Sequence, residues 1–505
     1  MSDTNRVGLR FFQSSQRTAP IPGGPFNLDQ LRFTGTPNLA FAPTTITSEE
    51  IRPDRQISDL ILVGAEAGGD TGIELSFRAF DALIAGALFS TYTNPVLKQG
   101  TGEITAFGAG TVDVDVGGDF IVGQVTRLDA LLTGDVGDGI FEVTNIAVNT
   151  LTLNPLAGTA TTAILGTETA DADTTLQVTG FVAQTPGDIS VTVTGPNTVF
   201  QFPAGALDDA MGTGVPLAIG AWMKFAEFTT VGNNVWTRIR EIDLALDTIT
   251  VDTQTGMATD AAGTENVQAF YGGRIENGAG SVAANQFAVE RRFEDHTPVT
   301  RELFLGMALN NFSINLSPQA IAVGSLTWFG FNSTVSDNSG GSYPELYATL
   351  PVDVPAPQFD VYNTSSDIGR LGRGVDPIDA AGLNFVLEAT IEMNNNLRRQ
   401  PAVGVFGASG IGLGEFSVTG TLSTYFDNDE ILQVILANSE TTLDLITQGG
   451  DGRSMVFDLP RIKFSGGAPD VPGKNQDVTI PGTYQAILDA DLGYTMSVQN
   501  VSFAR

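Results

Sequence analysis

The chain has 505 residues, 42% of them hydrophobic and 16% charged, with no cysteine, one histidine (His296) and a formal net charge of −32. That length carries roughly two to four domains with proper cores, and the apolar content excludes a mainly disordered protein. Without cysteine there are no disulfides, thiolate nucleophiles or cysteine-zinc sites, one histidine excludes a multi-histidine metal centre, and the acidic field has the wrong sign to grip nucleic acid through its phosphates.

The N-terminal stretch MSDTNRVGLRFF lacks the apolar core of a secretion signal, and no run approaches the length of a membrane span. Neither is expected, and residues 1–27 read as an N-terminal arm. Beyond it, 58 glycines and 24 prolines punctuate short alternating runs rich in Thr and Val. That pattern predicts an all-β chain, mainly β with short helices, built as sandwiches.

Residues 45–89 pass from apolar residues through the polar stretch SEEIRPDRQ to an aliphatic, glycine-rich segment, an alternating strand and a short helix. Residues 391–436 repeat that order. Ile51-Arg52 aligns with Leu397-Arg398, and Leu83, Ile84, Ala87 and Leu88 recur as Ile431, Leu432, Ile435 and Leu436, a stripe facing one core. The duplication resumes where LNNFSINLSPQAI from Leu309 matches LPRIKFSGGAPDV from Leu459, with Phe312 and Ile314 against Ile462 and Phe464. The drop in offset means that the first copy carries an insertion.

The first domain is therefore read as residues 28–97 plus 286–335 and the second as 370–505, joined by a turn- and proline-rich linker at 336–369. The insertion has its own repeat, residues 120–154 against 217–252, with Arg127 answered by Lys224 and Phe141 by Trp236. Turn residues between alternating runs predict hairpins, and hence two β-modules, 98–180 and 181–285. Residues 101–285 hold 22 acids and 5 bases, a net of −17 and more than half of the total.

Candidate chemistry is sparse. GVFGASGIGLG (404–414) resembles a dinucleotide fingerprint, but a strand rather than a helix follows it, so its glycines read as a β-bend or loop. The Asp-rich turns at 113–119 and 134–139 lack EF-hand spacing and read as solvated turns. His296 reads as a loop residue. Glu49, Glu50, Asp54 and Asp59 form the best carboxylate cluster, but Arg52 and Arg55 are interleaved, which lowers the acids' proton affinity where a glycosidase acid needs it raised. The second copy has Asn394, Asn395 and Asn396 in their place and keeps Arg398 and Arg399. A polar contact loop fits both copies. No catalytic residue, cofactor or metal is expected.

Residues 31–89, 309–331, 394–426 and 459–487 resemble tail tube (major tail) proteins of tailed bacteriophages of the siphovirus type. The resemblance implies a β-sandwich flanked by a short helix, sheets that join around a ring into an inner barrel, and long loops that bridge stacked rings. Six tube domains per ring would be met by three two-domain chains, a pseudo-sixfold trimer. The implied partners are other copies, a tape-measure protein and tail terminator or distal tail proteins. Genomic DNA would pass through the lumen without specific binding, and no membrane is involved. The expected place is the virion tail, after assembly in the host bacterial cytoplasm. The insertion is expected to decorate the outside, so that deleting residues 100–283 would leave tube formation intact. A surface-layer or carbohydrate-binding β-sandwich protein is the alternative from another class.

Overall fold

The computed structural model describes residues 6–503, except 25, 36, 55, 130–138, 157–168, 171–173, 205–206, 208–216, 279, 338–342, 358, 379–384 and 406–407. The chain is all-β, as its alternating runs predict. Its first repeat unit contains β1 (Ala40–Thr47), β2 (Leu60–Glu74), the helix α1 (Asp81–Leu88), β3 (Phe287–Phe293), β4 (Thr300–Leu316) and β5 (Val323–Gly330). The second contains β6 (Val386–Asn394), β7 (Arg398–Pro401), β8 (Ala408–Gly412), β9 (Ser417–Tyr425), α2 (Glu430–Leu436), β10 (Glu440–Gln448), β11 (Arg453–Gly466), β12 (Thr479–Ala486) and β13 (Ser497–Ser502).

Strand β2 shows why the pattern folds this way. Ala65, Ala67, Thr71 and Ile73 are buried while Glu66 and Asp70 between them are exposed, the period-2 signature of a sheet with one wet face. Helix α1 buries Leu83, Ile84, Gly86, Ala87 and Leu88. Asp81 sits in its first turn, where a negative charge suits the helix dipole. Gly86 lets the helix lie on Phe287, because a Cβ there would come within 2.5 Å of that ring.

Hydrogen-bond register makes the two units equivalent. In the first, β1 pairs with β2, β2 with β5 and β5 with β4. In the second, β6 pairs with β9, β9 with β12 and β12 with β11. The units join where β4 pairs antiparallel with β6, from Asn311 opposite Asn394 to Leu316 opposite Ala389. One continuous run of eight strands results, in the order β1-β2-β5-β4-β6-β9-β12-β11. The long strands β4 and β11 each change partners midway. The early half of β4 pairs with β3 and that of β11 with β13, while β10 runs along β11 from Ser454 to Lys463. Each long strand thus links two layers, and a single cluster of buried apolar side chains, from Leu9 to Val498, runs through both units.

Between α1 and β3, Gly272–Glu276 pairs with β13 in the main sheet, while the strands from Leu97 to Phe270 form a separate 13-stranded sheet. Its strands at 104–108, 111–114, 124–129, 139–147, 150–155 and 175–182 are matched in sequence and in pairing by those at 190–194, 197–201, 222–226, 236–243, 248–252 and 268–270. The two six-stranded halves, in each of which the second strand pairs with the fifth and the third with the sixth, meet through their equivalent last strands, Gly180 opposite Phe270 and Val182 opposite Gln268.

This duplicated sheet is no loose decoration. Val125, Ile140, Leu156, Val182, Trp222, Trp236 and Phe270 share one buried cluster with Ile446, Val456, Val501 and Phe503 of the second unit. Trp222 N–H donates to Gln499 Oε1 and Gln499 Nε2 donates to Trp222 O, both at 2.8 Å. Arg238 reaches Asp458, which is 1% exposed, at 3.3 Å. Arg453 reaches Asp129 at 2.7 Å. The insertion leaves the first unit and packs on the second. Its deletion would bare that apolar patch and strand Asp458, so the expectation of an indifferent deletion fails on packing grounds.

Candidate assembly interface

Three features stand out on the eight-stranded run: its wet face, its projecting arms and its two ends. On the wet face, Thr327 Oγ1 donates to Asp70 at 2.7 Å, Asn311 Nδ2 donates to Glu392 at 2.9 Å, and the hydroxyl pairs Ser313–Ser325 and Thr390–Thr421 lie at 2.8 and 2.9 Å. Ser465 and Thr483 continue the ladder at the β11 end. The face is a carpet of hydroxyls and amides in which Glu66, Asp70, Glu74, Glu388 and Glu392 are the acids, with Arg461 and Lys463 at the edge. The opposite face carries Ile73, Trp328, Phe312, Ile391, Val418 and Tyr484 into the core.

The arms are the outer parts of the β1–β2 hairpin and of the β7–β8 hairpin, which continues β6 and β9. The first arm holds the charged stretch noted in the sequence. Glu49, Glu50, Arg52, Asp54 and Asp59 are all exposed at its tip, and Arg55 lies outside the described residues. Arg52 grips Asp54 through two hydrogen bonds of 3.1 and 3.0 Å. This pairing holds the Asp54 carboxyl below its usual range. Ser48 N–H donates to Asp59 O at 3.0 Å, closing the base of the loop. Around these charges Ile46, Ile51, Ile57, Leu60, Ile61, Leu62 and Val63 are exposed, Ile51 at 98%.

The second arm is differently engaged. Arg399 reaches Glu66 of β2 at 2.9 Å, donates to Ala67 O at 2.9 Å and lies over the Phe329 ring. Asn395 is buried at the joint between the units, its Nδ2 donating to Ala87 O and Leu309 O at 2.8 and 3.0 Å. Asn394 and Asn396 brace the turn, with Asn396 N–H donating to Asn394 Oδ1. Arg398 donates to Leu413 O. Asn395 and Arg399 thus bind the two units of one chain together. Among the described residues, the exposed large hydrophobics of this arm are Val403, Val405 and Leu413.

The sequence alignment of Ile51-Arg52 with Leu397-Arg398 does not survive the register. Glu66 stands opposite Ala42 in the first arm and Gly412 opposite Arg398 in the second. Strand equivalence through β5 and β12 therefore sets Arg398 level with Ala42 to within one residue. Arg52 belongs to an extension of the first arm that the second lacks. The glycine-rich stretch 404–414 supplies β8 and its flanks, not a phosphate cradle. Missed in the sequence were the interlocking ion pairs beneath the insertion. Their signal was a basic residue, Arg127 or Arg238, inside a strand buried on both faces.

A β-sandwich pair with an ordered wet face and two apolar-tipped arms defines a structural protein that works through its surfaces. The family of phage tail tube proteins matches the chain over residues 4–186 and again over 182–495; the chain belongs to that family. Its two successive matches accord with an all-β protein of two tandem domains. The family is structural and non-enzymatic, which makes this chain a component of the virion tail. No curated protein matches the chain.

Proposed function

We propose that the chain assembles with copies of itself into stacked rings, forming a siphovirus-type tail tube through which DNA leaves the capsid. The observation that carries this reading is the β4–β6 joint, where two equivalent units fuse their sheets into one eight-stranded run; among the described residues its β1 end has no further strand partner, and its β11 end is only partly covered, by β10. Open strand edges invite pairing, and repetition of the same joint between chains closes a ring. Three chains supply six units. The wet face lines the lumen in this arrangement, and its hydroxyls, amides and acids give DNA a surface without cationic grip. The residues at issue on the lumen are Glu66, Asp70, Glu74, Glu388 and Glu392.

The first arm, with Glu49, Glu50, Arg52, Asp54, Arg55 and Asp59 around an apolar tip, is assigned to ring stacking. Asn394, Asn396 and Arg398 flank it on the second arm. A tape-measure protein inside the tube and terminator or distal tail proteins at its ends follow as partners, with assembly in the host bacterial cytoplasm. Electron microscopy of the purified protein tests the proposal. Hollow tubes with three chains per ring are expected, and a protein that stays monomeric at every concentration and salt would refute it.

A further inference from the structure

The internal repeat predicts what should lie along β11, and something else lies there. Phe312 and Ile314 of β4 pair with Leu326 and Gly324, as Ile462 and Phe464 of β11 pair with Ala486 and Tyr484. Residues 461–466 therefore stand for 311–316. The other edge of 311–316 receives β6 from the neighbouring unit. The matching edge of β11 is partly taken by its own chain, with Thr441 opposite Ile462 and Glu440 opposite Lys463.

The first unit shows how the edge is otherwise kept clear. There β3 begins at Phe287 opposite Met307, after a 3-10 turn at Val282–Asn285, and leaves Asn311 onward to β6. Leu445, opposite Phe457, is the counterpart of Phe287. The residues ahead of it run on as strand instead of turning away. Glu440 holds them there, reaching Arg461 at 2.5 Å and Lys463 at 3.4 Å. All three side chains are at least one third exposed, and exposed pairs of this kind contribute little.

Helix α2 points the same way. Of its residues only Ile431 is buried, and Leu436 is 77% exposed, whereas five residues of α1 are buried. The end of α1 is covered by the second unit, through Asn395 on Ala87 O and through Leu397 and Ile411 against Phe89. The equivalent end of α2 lacks such a cover among the described residues.

We propose that Glu440 and Thr441, with the turn that leads from α2, form a displaceable cap on β11, and that a second copy of the chain displaces it. The incoming residues are those around Thr34 and Asn38, which flank β2 through the Thr34–Gly72 bridge and the 2.9 Å bond from Asn38 N–H to Asp70 O. They hold in the first unit the place that β6 holds in the second. The cap keeps the free chain from pairing prematurely, and its release is the step that lets a ring close. The inference rests on the assembly proposed above.

Glu440→Cys combined with Lys463→Cys tests it, since the two residues face each other and the natural chain has no cysteine. The oxidised protein is expected to lose tube formation and the same sample to regain it on reduction, with thermal unfolding reporting that both forms are folded. Glu440→Lys, which places a third cation beside Arg461 and Lys463, needs no disulfide geometry and is expected to shorten the assembly lag. If the oxidised pair assembles as fast as the reduced one, or Glu440→Lys leaves the lag unchanged, the cap is refuted while the tube reading stands. If the natural chain forms no tubes under any condition, the tube reading falls and takes the cap with it.

Discussion

Lys224, in the strand Trp222–Ala226, illustrates how much a single partly buried charge can weigh. Burial pulls its pKa from the ordinary 10.5 to about 8, although its Nζ donates to Asn234 O at 2.8 Å. A base whose folded-state pKa is depressed costs stability in full below that pKa. The cost is relieved as pH rises from about 8 towards the unfolded value, and the shift corresponds to roughly 3 kcal/mol. Lys224→Met is therefore expected to raise unfolding free energy at pH 7 by about 1–3 kcal/mol. It should also flatten the rise in stability between pH 8 and 10, as followed by denaturant titration. Arg238 presents the opposite case. Its removal in Arg238→Ala leaves Asp458 buried without its cation and is expected to cost about 3–5 kcal/mol, measured in the same way. Sequence reasoning found Lys224 by its position in a strand and passed over Arg238. It could not tell that one was paired and the other not, because Asp458 lies 220 residues from Arg238.

Among the elements, α1 and the inward-facing strand positions were legible because their periodicity is set by the core, whereas of the stripe expected on α2 only Ile431 is buried. Phe312 and Ile314 matched Ile462 and Phe464 in sequence, and all four are buried in one cluster. The arms were not legible to the same degree. Beyond the core nothing fixes a period, so a chance Ile-Arg match at Arg52 stood in for the true register at Ala42. Since Arg52 and Asp54 are both about 40% exposed, Arg52→Glu is expected to leave the melting temperature of the free chain unchanged and to weaken ring stacking, read as shorter tubes by microscopy. At the β11 edge, the Arg461 hydrogen bonds hold the Glu440 carboxyl below its usual value. A depressed acid contributes stability above its unfolded pKa and loses it as pH falls through the folded one. The cap is thus expected to hold at neutral pH and to loosen only as acidification carries the solution below the ordinary carboxylate range. Hydrogen exchange at Glu440 and Thr441, compared between neutral and acidic pH, checks this.

For the molecule as a whole, the duplication and the insertion were visible in the sequence, but the place where the insertion comes to rest was not. Connectivity says that it leaves and rejoins the first unit. Packing says that Trp222, Trp236 and Phe270 rest against Val456, Val501 and Phe503 of the second. Alternation in the primary structure reveals that a face is apolar without naming what covers it. Removal of residues 100–283 is accordingly expected to yield a chain that aggregates or melts well below the natural one, whereas the intact chain stays soluble; light scattering and calorimetry decide between these outcomes.

The placement of the insertion has a mechanical consequence. Within a chain, the β4–β6 seam is bridged twice more, by the covalent linker and by the inserted sheet that spans from one unit to the other. A seam between chains would carry the strand pairing and arm contacts without either strap. A tube wall built this way alternates reinforced and plain seams around its circumference. Under bending or internal pressure it would split along the plain ones, so that fragments of a broken tube come apart as whole chains with their paired units still joined.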